Sequence, residues 1–127
     1  MSKRDTTLRQ WQKADSSADM DKAYEIYCQI LTMPGLSFHL SKDEILDIRY
    51  NRAINNIEIG NFLLGEKLYT RAHTHFQEAL DDRKACAEGY STSKAREISA
   101  TALAESKEHM KTIIGILEQQ SAVIPTI

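Results

Sequence analysis

Glycine and proline are scarce in this chain, five and two among 127 residues. A β-sandwich or barrel needs a turn signal about every 8–12 residues, so that class is excluded and helices are favoured. Cysteine is as rare. Cys28 and Cys86 lie far apart without a C-x-x-C spacing, which removes a disulfide scaffold, a zinc knuckle and a redox pair and predicts two buried free thiols. No apolar run approaches the ~18 residues of a membrane span, and the N-terminus lacks the apolar stretch of about 7–15 residues that marks a secretory signal. A cytoplasmic protein with no membrane partner is therefore expected. Neither sign of charge dominates: 16 Lys and Arg face 18 Asp and Glu, for a net charge of -2. Residues 1–34 carry five of each sign, residues 35–86 seven basic and eight acidic groups, and residues 87–127 four and five. No segment has the basic footprint that nucleic acid requires, so no nucleic-acid partner is expected.

What is present is the composition of a folded domain, 42% hydrophobic and 27% charged. Residues 1–121 read as one helical domain, followed by a short apolar tail at 122–127. The clearest helix start is Ser41-Lys42-Asp43-Glu44, a capping box. From it Leu46, Tyr50, Ala53, Ile57, Gly60 and Leu64 recur at alternating steps of four and three, one continuous helical face. Ile45, Ile48, Ile59 and Phe62 add a second apolar side, which predicts a central helix over residues 42–64 buried between neighbours. Gly65 is expected to end it, and Leu68, Tyr69, Ala72, Phe76, Ala79 and Leu80 trace the next helix, forced antiparallel by the short connection. Met20, Ala23, Tyr27, Ile30 and Leu31 mark an earlier helix that stops at Pro34-Gly35. A shorter one around residues 4–14 precedes it, and a long C-terminal helix spans about Ser93–Gln120. Between Pro34 and Leu40 the alternation of Leu36, Phe38 and Leu40 predicts an extended segment with one apolar side.

Two of these helices are copies at an offset of 49: Met20 pairs with Tyr69, Ala23 with Ala72, Tyr27 with Phe76, Ile30 with Ala79 and Leu31 with Leu80. A small residue followed four positions later by a ring is what closely packed helices require. The pattern resembles the tetratricopeptide repeat, which carries W-x-x-L-G-x-x-Y on its first helix and A-x-x-x-F on its second. Over residues 53–86, Asn56 stands at the Trp position, Ile59-Gly60 at the L-G pair, Leu63 at the Tyr, and Ala72-x-x-x-Phe76 matches outright. The earlier copy is degenerate, with Trp11 where the glycine would be. The offset also exceeds the family's period of about 34 residues by about 15. The resemblance implies an all-α fold of antiparallel helix hairpins stacked as a short, irregular TPR-like solenoid with a long C-terminal helix.

No Gly-rich phosphate loop, H-E-x-x-H or G-x-S-x-G element occurs, so no enzyme activity, cofactor or metal is expected. His73 and His75 are two apart on a helix and face different sides, which predicts solvated histidines. The family resemblance implies a protein-protein interaction module, an adaptor or a dedicated chaperone. Relatives that grip acidic C-termini use Lys, Arg and Asn on the concave face. Here Asn61 keeps company with Ile57 and Glu58, so the bound protein or peptide segment should be apolar or weakly basic. Ile54, Ile57, Asn61 and Leu64 are the expected groove residues, and Phe38 on the loop is a candidate partner contact. Met110, Ile113, Ile114 and Leu117 crowd two turns of the last helix, which predicts an association face and a possible homodimer. The alternative is a small helical regulatory or accessory subunit of an enzyme complex, acting through oligomerisation.

Overall fold

Most helices begin where a side chain can take up the free N–H groups of the first turn. The computed structural model describes residues 2–123. Its elements are α1 (Lys3–Asp15), α2 (Met20–Thr32), α3 (Pro34–Ser37), α4 (Lys42–Gly65), α5 (Tyr69–Gly89) and α6 (Ser93–Val123), and the described residues contain no strand. Ser2 Oγ accepts from the Asp5 N–H, and Asp19 accepts from the N–H groups of Asp21 and Lys22. Ser41 and Glu44 form the capping box that the sequence predicts. Glu44 is then gripped by both terminal nitrogens of Arg4, at 2.8 and 2.7 Å, while Arg4 also donates to the His39 carbonyl oxygen. That fork holds the Glu44 carboxyl down to about 2, and it fastens the start of α1 to the start of α4.

Helices pack mainly on their neighbours in the chain: α1 on α2, α2 on α4, α4 on α5, and α5 on α6, with α3 against α1 and α2. One core cluster gathers Ala14, Ala23, Ile26, Tyr27, Ile30 and Ile48. A second unites α4, α5 and α6 through Ala53, Ile57, Ile59, Leu63, Ala72, Phe76, Ala79, Met110 and Ile113. A smaller third, Leu46, Cys86 and Tyr90, closes the far end. No helix among the described residues is long and apolar enough to cross a membrane.

The two copies offset by 49 bury alike: Ala23 and Ala72, Tyr27 and Phe76, and Ile30 and Ala79 are all buried. The tightest approach lies where Gly60 of α4 faces Phe76 of α5. A Cβ on Gly60 would stand 2.6 Å from Phe76 Cε1, so hydrogen is the only side chain that leaves room for that ring.

Two expectations about local structure need correction, the extended loop after Pro34 and the burial of Phe62. Pro34 does not lead into an extended loop; it opens α3 from the first turn, where its missing N–H costs nothing. The helical turn sends Leu36 and Leu40 against the first core and Phe38 outward at 82% exposure. α4 does end at Gly65 as expected, and the left-handed turn that follows is taken by Lys67, with φ 62°, while Leu68 N–H donates back to the Leu63 carbonyl oxygen. Phe62, read as part of a buried second face, is 58% exposed, because no neighbouring helix covers that side of α4. The apolar tail begins inside α6, and its residues 124–127 lie outside the described residues.

Gly60→Ala is expected to lower stability by about 1–3 kcal/mol, against a helix-propensity gain of about 1 kcal/mol. Phe76→Ala alone should cost about 3–5 kcal/mol. In that background Gly60→Ala should lose its penalty, because the colliding ring is gone. Denaturation midpoints of the four proteins check the cycle; equal penalties in both backgrounds would rule the ring out as the cause.

Candidate functional site

Polar groups collect in two places on α4, one sealed and one open. The sealed one centres on Asp82 of α5, which has no exposure. Arg52 donates to both of its oxygens, from Nε at 2.8 Å and from a terminal nitrogen at 2.9 Å, and Arg49 Nε adds a third bond at 2.8 Å. Arg49 and Arg52 stand three apart on α4 and so share the face turned to α5. Arg52 also reaches Cys28 Sγ of α2 at 3.6 Å.

A hydrogen-bonded chain continues from there. Tyr24 OH and Asn56 Nδ2 both donate to Glu78 Oε1, at 2.8 and 3.0 Å. With its NH2 committed, Asn56 turns its carbonyl oxygen to His75 Nδ1, 2.7 Å away, so that nitrogen carries the proton. Burial acts to raise the Glu78 carboxyl, but donors from Asn56 and Tyr24 and the charge of Arg52 outweigh it and hold it below its usual range. Burial lowers His75, with Arg71 pushing the same way against Glu78 and Asp21. His75 is thus not a solvated helix histidine. His73 and His75 do face different sides, but the neighbouring Asn56 and the Tyr24 ring, 5.3 Å off edge-on, enclose His75.

The open place is a cavity of about 320 Å³ between the end of α1, α2 and the middle of α4. Asp15 sits in its wall and accepts from Tyr27 OH at 2.5 Å and from Asn51 Nδ2 at 3.2 Å. Burial first, then the bond to Asp15, pushes the Tyr27 hydroxyl up, so it stays a donor. From this cavity an uncovered stripe runs along α4 at Ile54, Glu58, Asn61 and Phe62, the helical spacing of one face.

The predicted groove residues separate. Ile54 lines the cavity and is 43% exposed. Asn61 lies further along the stripe, exposed. Ile57 belongs to the second core, and Leu64 packs against it, so neither is offered to a ligand. The predicted association face also divides: Met110 and Ile113 are buried against α4 and α5, Leu117 packs on the same cluster, and Ile114 alone of the four is exposed. The reason is geometric. α6 lies along α5 with the Ser99, Ser106, Met110 and Ile113 stripe inward, so most of the apolar surplus is covered by the chain itself. Cys86 is buried as expected, its thiol donating to the Leu46 carbonyl oxygen and pushed up to about 11 by burial, whereas Cys28 is half-buried beside Arg52. Asp15, Asn51 and Asn55 were not foreseen, since only folding brings α1 to α4; the polar steps of α4 at 51, 55 and 58 were the available signal.

The described residues contain no group of three or more His, Cys, Asp or Glu that could hold a metal ion. Compared with known proteins, the chain matches no family model, no curated protein and no solved structure.

Asp82→Asn should destabilise the protein by about 3–5 kcal/mol, because two partly buried guanidinium groups lose their counter-charge; denaturant unfolding measures it. The depressed His75 has the opposite sign from a paired histidine. The unfolded chain takes up its proton first, so the stability is complete above pH 6.5 and is lost as pH falls toward the folded value. Glu78 adds its own loss below 4.5. His75→Gln should therefore flatten the stability profile between about pH 7 and 5, and an unchanged profile would assign the titration to another group.

Proposed function

We propose that the chain is a TPR-like protein-interaction module, an adaptor or dedicated chaperone, that takes a segment of a partner protein along the open stripe of α4. One observation carries the reading. Among the described residues α4 belongs to all three core clusters, yet Ile54 and Phe62 are 43% and 58% exposed on a side that no described helix covers. A central helix costs stability when it leaves large apolar side chains in water, and such patches mark interfaces. The resemblance of residues 53–86 to the tetratricopeptide repeat supports the same function class. A second reading, an accessory subunit acting through self-association, rests on Ile114 of α6, which is 41% exposed over a shallow groove shared with Leu80 and Met110.

A photo-crosslinking amino acid placed at position 54, 62, 94 or 114 in the native cell tests both readings. Discrete adducts with another protein are expected from positions 54 and 62 and not from exposed position 94. Adducts of the chain with itself from position 114 would favour the accessory-subunit reading. Identical adducts from every position, or none, would overturn the interaction module.

A further inference from the structure

The cavity at the head of the α4 stripe has an unbalanced hydrogen-bonding inventory. Each side-chain donor group that lines it already makes a hydrogen bond within the chain. Tyr27 OH and Asn51 Nδ2 donate to Asp15, Asn55 Nδ2 donates to the Met20 carbonyl oxygen at 3.1 Å, and Ser17 Oγ donates to the Asp19 carbonyl oxygen at 3.2 Å. What is left over is mostly acceptor: the second oxygen of Asp15, both oxygens of Glu58 and the carbonyl oxygens of Asn51 and Asn55 stand against one further N–H on each of the two amides.

Asn55 is the most telling of these. It is 8% exposed and lines the cavity, and its Oδ1 is itself buried and has no hydrogen-bond partner among the described residues. The Met20 carbonyl oxygen can only accept, so the Asn55 amide cannot turn round to relieve the oxygen. A buried acceptor left unmade costs about 1–3 kcal/mol, which a donor able to reach it from the cavity would remove. Charge points the same way. Asp15 and Glu58 both line the cavity, and none of the ion pairs among the described residues involves either carboxylate. An anionic or acceptor-rich ligand would meet like with like.

Resting on the protein-interaction reading, we infer that this cavity receives a basic side chain of the partner segment, an arginine by preference. A guanidinium brings positive charge and five donors in a fixed fork, which suits several acceptors spread around one cavity better than the single point of an ammonium. Its aliphatic stem would lie on Ile54, with Ala14 and Ala23 in the wall behind. The rest of the segment then continues along α4 toward Phe62.

The test uses Nα-acetyl-arginine amide as the probe, with the lysine and the neutral citrulline counterparts as controls, and reads the amide NMR signals of the isotope-labelled full chain. Saturable shifts are expected at the side-chain amides of Asn51 and Asn55 and along residues 51–58. Citrulline amide should bind at least about tenfold more weakly, and added salt should weaken the arginine probe. Glu58 makes no hydrogen bond among the described residues and is exposed, so Glu58→Gln should keep the fold while weakening the probe by about threefold or more. Absence of shifts, or equal binding of citrulline, would overturn the inference. Crosslinks at positions 54 and 62 without probe binding would overturn the basic-side-chain pocket alone and leave the interaction reading standing. Probe binding without those crosslinks would support the cation chemistry of the cavity and overturn its assignment to a partner protein.

Discussion

Asp82 is a carboxylate with no access to water, and its burial is possible only because α4 presents two guanidinium groups to it one turn apart. Desolvating a lone carboxylate would cost more than a domain of this size can spare. The three bonds therefore set the register of α5 on α4: a slide by one residue would leave the charge uncompensated. Gly60 and Phe76 act on the same pair of helices by shape, since the ring occupies the space that any Cβ would need. Charge and close approach thus agree on one alignment, and α6 is added to it when Arg83 reaches across to Ser106 Oγ at 2.7 Å and to the Ala102 carbonyl oxygen.

The same centre limits what the protein can display. With α4 held against α5 on one side and α2 on another, its remaining side is left to solvent, and α1 reaches α4 through the Arg4–Glu44 and Asp15–Asn51 bonds. A chain whose helices pack chiefly on sequential neighbours builds a row rather than a bundle. A row always has faces that its own elements do not close.

Much of this was legible in the sequence because helical burial is periodic. The Leu46–Leu64 stripe of α4 is buried or half-buried along its whole length, as its spacing predicts. What periodicity does not encode is which apolar side has a neighbour. Phe62 and Ile48 look alike in sequence, yet one meets solvent and the other the first core. Likewise Met110 and Ile113 looked surplus until α6 was laid along α5. The cavity was hidden for another reason: Asp15 and Asn51 are 36 residues apart, and nothing in the local pattern of either helix points to the other. The polar chain through Asn56 and His75 was equally silent, because its members lie on different helices and no local spacing joins them.

The serial packing has a consequence for how the chain is made. During synthesis the α1–α2 hairpin emerges before α4, so its core lacks Ile48 until the first turns of α4 follow. The second core has to wait much longer, since Met110 and Ile113 stand near the end of α6. Through that interval Arg49 and Arg52 are already out while Asp82 is still being added, so the growing chain carries its unpaired cations in water, where they are well solvated. The opposite order would present a carboxylate awaiting burial. As it is, the acid arrives last and finds both of its partners waiting.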